Sequence, residues 1–161
     1  METVIRRFAE GDEQAVSDLI VRTLFTSNSR DYPQEELEQI AGRMQPEDIT
    51  ERAKTAHFYV ACTPSGEIVG CGAAAPYFGR EDECIFLNIF VLPEWQGRGV
   101  GRQIVEALEK DAFATRAFRI EIPASITGEA FYLRCGYTWK EGVRVLDGDR
   151  LYRLEKHRDR A

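Results

Sequence analysis

The chain has 161 residues, of which 43% are hydrophobic and 30% are charged, a composition typical of soluble globular proteins. This length suits one domain over residues 1–161 and is short for two. The formal net charge of −6 argues against a nucleic-acid-binding surface, although it is compatible with a cationic amine as substrate. No apolar run approaches the length of a membrane span, so we expect a cytoplasmic protein without nucleic-acid or membrane partners.

Hydrophobic periodicity and turn residues predict the elements of the N-terminal half. They are a strand at 4–8, a helix from Asp12 to Leu24, two short helices at 34–44 and 46–55, and strands at 58–62 and 68–75. The same signals predict the C-terminal half. Its elements are an apolar strand at 83–92, the longest helix at 99–114, a strand at 118–122, a short helix at 126–134, and a closing hairpin of 137–145 with 150–155.

The cysteines and histidines give no signal for a metal site or a disulfide. The four cysteines have no C-x-x-C pairing, and Cys62, Cys71 and Cys84 lie in apolar, strand-like runs. We interpret these three as small core residues in a reducing compartment. His57 begins a strand and His157 lies in the charged tail, and neither has a partner visible in the sequence. We therefore expect no metal.

Residues 93–102, with the sequence Pro-Glu-Trp-Gln-Gly-Arg-Gly-Val-Gly-Arg, join the central strand to a helix. Three glycines at alternate positions remove side chains where the helix is about to start. The free N–H groups of its first turn can then face an anion. Arg98 and Arg102 add positive charge. The stretch is typical of a pyrophosphate-binding turn, and the alternative is an ordinary glycine-rich turn.

The spacing of this turn distinguishes between phosphate-binding motifs. Arg102 stands where a dinucleotide fingerprint needs its last glycine, and no lysine follows the glycines as a Walker loop requires. The pattern Gln96-x-x-Gly99-x-Gly101 resembles the Q/R-x-x-G-x-G/A signature of the GCN5-related N-acetyltransferases (GNAT). The resemblance implies that the loop amides hold the pyrophosphate of acetyl-CoA. The implied contacts are Gln96, Gly97, Arg98, Gly99, Val100, Gly101 and Arg102.

A second patch, at 125–137, resembles the late motif of the same family, N-x-x-A-x-x-F-Y followed by a helix-ending glycine and an aromatic residue. Phe131 and Tyr132 match directly, whereas Ser125 replaces the commonest asparagine and Gly128 the alanine. The resemblance implies cofactor contacts for Ser125, Phe131 and Tyr132. The Ser125 hydroxyl has two open roles, to contact the pantetheine arm or to cap the helix. The two motifs together extend the likeness over roughly residues 57–155.

The resemblance also implies an α+β fold with α/β/α layers, the acyl-CoA N-acyltransferase fold. Its sheet is mixed and mostly antiparallel, with a splayed parallel pair at its centre formed by 84–92 and 117–122. The open strand edge would bind the pantetheine arm through the backbone of Ile89, Phe90 and Val91. A backbone N–H of Val91 or Leu92 would stabilise the oxyanion.

Acyl transfer from a thioester to an amine requires a proton donor for the thiolate and an acceptor for the amine proton. The resemblance assigns the first role to Tyr132. The base has three candidates. The first is Glu121, a charge in an apolar strand expected to line the cleft, whose alternative is a solvent-facing carboxylate paired with Arg119 or a neighbouring strand. The others are Glu83, near the start of the central strand, where a surface role is the alternative, and a chain of water molecules.

The implied function is an N-acetyltransferase that uses acetyl-CoA as cosubstrate and acts by direct transfer. The acceptor would be a primary amine of a small molecule, peptide or protein, and the enzyme a monomer or homodimer. The alternative is a non-catalytic acyl-CoA-binding sensor or interaction module. The acceptor pocket is expected near the first helices, the 76–82 loop and the last hairpin, with loop residues Arg30, Asp31, Tyr32, Tyr77, Phe78 and Arg80.

Overall fold

A computed structural model describes residues 2–159, and their strands form one seven-stranded sheet. The strand order is β1-β2-β3-β4-β5-β7-β6, and every neighbouring pair is antiparallel except β4 and β5, which are parallel. The strands are β1 Val4–Arg7, β2 His57–Cys62, β3 Ile68–Tyr77, β4 Arg80–Val91, β5 Arg119–Ser125, β6 Thr138–Trp139 and β7 Leu151–His157. The sheet confirms the predicted α+β class and its mixed topology.

Helices cover both faces of the sheet. They are α1 Glu13–Thr26, α2 Gln34–Gly42, α3 Pro46–Thr55, α4 Val100–Glu109, α5 Ala112–Thr115 and α6 Glu129–Arg134. Gly70 and Gly72 on β3 lie directly under Ile104 of α4, where an added Cβ would come within 2.9 and 2.8 Å of that side chain. The alternate β3 residues Val69 and Cys71 are buried on the other face, where α1 packs. None of the helices within residues 2–159 is long and apolar enough to cross a membrane.

The parallel pair at the centre of the sheet separates along its length. β4 and β5 pair at Glu83 with Arg119, at Cys84 with Ile120 and at Ile85 with Glu121, and the pairing stops there. β4 continues to Val91 with, among the described strands, β3 alone beside it. The register of this pair shifts between Leu87 and Phe90, where Asn88 has a φ of +57°. The splayed pair that the sequence resemblance implied is therefore confirmed.

The helix predicted at 99–114 is two helices, and the longest helix is instead α1, with 14 residues. Asp111 causes the break, because its carboxylate caps α5 by accepting a hydrogen bond from the Phe113 N–H at 2.9 Å. Asp111 also accepts bonds from Tyr59 and from His57 Nδ1, at 2.6 and 2.8 Å. The expectation that His57 has no partner is wrong.

The predicted strand at 137–145 is also wrong beyond its first residues. β6 ends at Trp139, and Glu141 in the following 3-10 turn has a left-handed φ of +54°, which interrupts extended backbone. Among the described residues the hairpin keeps two β6–β7 pairs, Thr138 with Glu155 and Trp139 with Leu154, and a separate bridge of Leu146 with Tyr152. The three strand cysteines, by contrast, are buried free thiols, as predicted.

Candidate active site

The gap between the splayed strands opens into a cavity of about 830 Å³. Its walls are the edge of β4 from Phe86 to Val91, the end of α1, the glycine turn, and the segment from β5 into α6. The predicted contacts that line it are Ile89, Phe90, Val91, Gln96, Gly97, Gly99, Gly101, Arg102, Ser125, Phe131 and Tyr132. The structure thus brings both sequence motifs to one cavity.

The glycine turn presents backbone N–H groups at one end of this cavity. Gly97 and Gly99 have φ of +76° and +85°, and Gly99 is the N-cap of α4. Such angles favour glycine, which has no Cβ to clash. The first bond of α4 runs from the Gln103 N–H to the Gly99 carbonyl at 3.0 Å. The N–H groups of Val100, Gly101 and Arg102 precede it and point out of the helix start, where an anion is favoured.

Two predicted contacts on this turn do not line the cavity with their side chains. The Arg98 guanidinium lies over the Trp95 ring, 5.0 Å from its centroid. Val100 is 2% exposed and belongs to the core. Its contribution to an anion site is limited to its backbone.

Gly101 serves helix packing as well as the turn. A Cβ on Gly101 would come within 2.9 Å of Phe131 Cζ, which means that α4 and α6 approach each other closely at this point. The Phe131 ring in turn meets the Tyr132 ring edge-on, with centroids 5.1 Å apart. The third glycine of the motif is therefore required by an aromatic neighbour.

The Gln96 side chain fixes the turn rather than facing a ligand. Its amide donates to the Ser27 hydroxyl and to the Val91 carbonyl, both at 3.0 Å. It thereby ties the turn to the end of α1 and to the end of β4. The Leu92 N–H is also engaged, because it donates to the Val69 carbonyl at 2.9 Å. Leu92 is thus excluded as the oxyanion donor, and Val91 remains.

Ser125 and Tyr132 stand where β5 leads into α6. The Ser125 hydroxyl accepts the Gly128 N–H at 2.9 Å, so of its two predicted roles it performs the capping one. Tyr132 is 7% exposed, and no described residue bonds its hydroxyl. Burial, with Cys135 and Cys71 nearby, raises the pKa of Tyr132 above its usual value. Its phenol therefore stays protonated at neutral pH and is available as a donor.

The expectation that Glu121 lines the cleft is wrong. Its side chain is 1% exposed and contacts three cations: Arg119, the Lys140 ammonium at 3.0 Å and the Arg153 guanidinium at 3.5 Å. The residue is not part of the cavity wall. The three cations hold the carboxylate away from the cavity, although Pro123 and Ser125 further along β5 line it.

Glu83, the second candidate base, belongs to the same cluster. Arg119 binds Glu83 at 3.1 Å and Glu155 at 2.7 Å, and its own side chain is 6% exposed. We call Glu83, Arg119, Glu121 and Glu155 the Arg119 cluster. Neither candidate carboxylate reaches the cavity, so the geometry gives the role of base no support from either residue.

The far end of the cavity contains residues that the sequence analysis missed. Arg43, Met44 and Arg52 come from α3 and the turn before it, and Asn88 comes from the irregular part of β4. The side-chain amide oxygen of Asn88, Oδ1, is buried and has no donor among the described residues. The sequence signal that could have identified Asn88 is its polar side chain inside the apolar run 85–92. The two arginines gave none, because charged helix residues are usually solvated.

The predicted acceptor loops contribute only in part. Arg30 and Tyr32 line the cavity, and the Tyr32 hydroxyl donates to the Arg150 carbonyl at 2.8 Å and accepts the Ile126 N–H at 2.9 Å. Phe78, in contrast, is 82% exposed, and Arg80 pairs with Asp82 outside the cavity. Within residues 2–159 no group of three His, Cys, Asp or Glu side chains could hold a metal ion.

Comparison with known proteins agrees with this geometry. A family model described as an acetyltransferase (GNAT) domain matches residues 54–139. "Probable N-acetyltransferase 14" of Danio rerio is 33% identical over 95 residues, which are 56% of this chain and 33% of that protein. The chain thus spans about a third of the length of that curated relative.

Two solved structures share the fold. PaiA N-acetyltransferase of Thermoplasma acidophilum, crystallised with coenzyme A, superposes with a TM-score of 0.82 at 16% identity, over 98% of this chain and 99% of that one. A GCN5-related N-acetyltransferase of Rhodopseudomonas palustris superposes with a TM-score of 0.78 at 22% identity, over 98% and 96% of the two chains.

Proposed function

Because the chain belongs to the GNAT acetyltransferase family, we propose that it transfers an acetyl group from acetyl-CoA directly to the primary amine of a small molecule, peptide or protein. One observation carries the proposal. A single cavity leads from the unpaired N–H groups of the glycine turn, along the open edge of β4, to the Tyr132 hydroxyl. An anion site, an extended arm and a proton donor are what acyl transfer from CoA requires.

The residues present fit acetyl-CoA as cosubstrate. The first turn of α4, with Arg102 beside it, would hold the pyrophosphate. The backbone of Ile89, Phe90 and Val91 would pair with the amides of the pantetheine arm as an added strand does. The reactive thioester that the cosubstrate supplies would then lie near Tyr132.

The chain's own groups have distinct roles in this proposal. The Val91 N–H stabilises the negative charge that develops on the carbonyl oxygen, and Tyr132 donates a proton to the departing thiolate. The amine must lose a proton before or during attack. Because Glu121 and Glu83 lie outside the cavity, a chain of water molecules is the base that this geometry favours.

A non-catalytic acyl-CoA-binding sensor remains the alternative function. It would use the glycine turn and the edge of β4 in the same way. The buried, unbonded Tyr132 hydroxyl favours the enzyme, since a sensor has no need of a proton donor at that end of the cavity.

The experiment that separates the two is a thiol-release assay with acetyl-CoA over a broad panel of amines, combined with calorimetric binding of CoA. Release that depends on an amine supports the enzyme. CoA binding without release on any amine supports the sensor, and failure to bind CoA contradicts both. Repeating the assay with propionyl- and butyryl-CoA tests the preference for acetyl.

We also propose a compartment, a partner and an oligomeric state for this protein. Buried free thiols at Cys62, Cys71 and Cys84 support a reducing compartment, for which we propose the cytoplasm. The partner is the amine-bearing acceptor, with no nucleic acid and no membrane. The proposed state is a monomer or homodimer, which light scattering would measure.

A further inference from the structure

Two arginines line the far end of the cavity, which we call the acceptor end because it lies away from the glycine turn. Arg43 and Arg52 line the main cavity and also a second, adjoining cavity of about 300 Å³. Met44 and Asn88 form the rest of the wall that the two cavities share. Arg43 directly follows α2, and Arg52 lies in the last turn of α3. Two separate elements therefore direct guanidinium groups to one place.

Neither guanidinium has a partner. No described residue forms an ion pair or a hydrogen bond with the side chain of Arg43 or Arg52. The carboxylates that line the second cavity are already engaged: Asp48 accepts the Gln45 N–H at 3.0 Å in the cap of α3, and Glu51 pairs with Lys54 at 2.6 Å. Arginine keeps its charge at every physiological pH, and neither of these two carboxylates lines the main cavity, so both guanidinium charges remain available there.

The two arginines lie too far from the glycine turn to bind the phosphates of CoA. Gln96 fixes the glycine turn at Val91, and Asn88 is three residues further back, which is about 10 Å along a strand. No residue of the glycine turn lines the second cavity. The pyrophosphate end has its own cations in Arg102 and Arg134. The charge of Arg43 and Arg52 is therefore available to the other substrate.

We propose that the acceptor is a primary amine that also carries an anionic group, a carboxylate or a phosphate, and that Arg43 and Arg52 bind that group. This inference rests on the proposed function. Guanidinium groups match both anions with paired, charge-assisted hydrogen bonds. An acceptor with a second ammonium, such as a polyamine, would be repelled instead. Among the described residues five arginines and a single carboxylate line the main cavity, although the whole chain is acidic.

The test compares acceptors that differ only in the charge of the end remote from the amine. We would measure thiol release with ω-amino acids, aminoalkyl phosphates, primary amides of the same amino acids, and diamines of equal length. We expect kcat/KM to be highest for the acids or the phosphates, at least about tenfold lower for the amides, and lowest for the diamines, because one charge-assisted bond accounts for a factor of about ten or more. The ranking of acids against phosphates identifies which anion the site prefers.

Substitutions assign the effect to the two arginines. Arg43→Gln and Arg52→Gln should each reduce the ratio of kcat/KM for acid over amide by about three- to tenfold, since each removes one of the two charged donors. Lys110→Gln is the control, because Lys110 is a cation at the end of α4 that lines neither cavity, and it should keep the wild-type ratio. A ratio expressed within each variant is insensitive to partial loss of folded protein.

Equal use of acids, amides and diamines, or wild-type ratios in both arginine variants, would overturn the inference. Calorimetric titration of the same compounds into the CoA-saturated protein separates this from failure of the proposed function. Preferential binding of the anionic amines without thiol release refutes the transfer reaction and supports the subsite. Thiol release without any anionic preference supports the reaction and refutes the subsite. Absence of binding by every compound also refutes the subsite.

Discussion

Replacing Glu121 by glutamine removes one negative charge from a buried cluster while keeping the length of the side chain. Arg119, Lys140 and Arg153 would then face each other around a neutral amide. Because the carboxylate does not reach the cavity, we expect Glu121→Gln to lower the stability of the fold and to leave the chemistry of the folded enzyme close to that of the wild type.

The structure sets the size of this loss. Breaking a buried ion pair by removing one partner typically costs about 3–5 kcal/mol, because the remaining charge is left without compensation. Here Arg119 keeps Glu83 and Glu155, and the side chains of Lys140 and Arg153 are 36% and 31% exposed. We therefore expect a loss of about 2–3 kcal/mol in the free energy of unfolding, or about 4–12 °C in Tm for a chain of this length.

Urea unfolding at neutral pH measures the loss, and single-turnover acyl transfer against pH measures the chemistry. The control is Glu51→Gln, which removes a carboxylate whose side chain is 71% exposed and should change stability by less than about 0.5 kcal/mol. The reasoning is refuted if Glu121→Gln is as stable as the control while its transfer rate falls by about a hundredfold and loses its acidic limb, the result expected of a general base.

Three further predictions concern other parts of the site and the fold. Tyr132→Phe should lower the single-turnover rate by roughly ten- to a thousandfold with CoA affinity unchanged, and an undiminished rate would exclude the hydroxyl from the chemistry. Gly101→Ala should destabilise the protein because its Cβ would meet the Phe131 ring, and Phe131→Leu in the double variant should recover part of the loss; additive unfolding free energies would contradict that contact. The hydrogen bond from Arg144 is the main cause of the lowered pKa of Glu129 in the folded protein. The stability that Glu129→Gln removes should therefore be present at neutral pH and vanish as the pH falls through that lowered pKa. A difference in unfolding free energy between wild type and variant that does not change with pH would contradict this.

The parts of the site that the sequence predicted well are those built by consecutive residues. The glycine turn places its N–H groups through local φ angles at Gly97 and Gly99, and a strand followed by a helix start can be predicted from spacing alone. The Phe131-Tyr132 pair lies on one short helix whose register is set by the Ser125 cap. The mixed sheet followed from the resemblance of the chain to the GNAT family.

The sequence could not predict what depends on distant parts of the chain. Glu121 appeared to be a base because a charge in an apolar strand is conspicuous, but its partners Lys140 and Arg153 come from elements that periodicity does not place around it. The break at Asp111 depends on His57 and Tyr59, more than fifty residues away. The sequence could not predict for the same reason that Arg43 and Arg52 line the acceptor end of the cavity.

The short pairing between β4 and β5 has a mechanical consequence. Strands β1 to β4 form one half of the sheet and β5 to β7 form the other, and the strand pairing between the halves comprises three residue pairs of β4 and β5. Beyond Ile85 and Glu121 the described backbone of these two strands lacks the interstrand hydrogen bonds that hold their paired part together. A ligand that hydrogen-bonds to the edge of β4 and also fills the space beside β5 would connect the two halves of the sheet where their pairing has ended. Occupancy at the centre of the sheet would thereby be transmitted as stiffness to residues that do not contact the ligand at all.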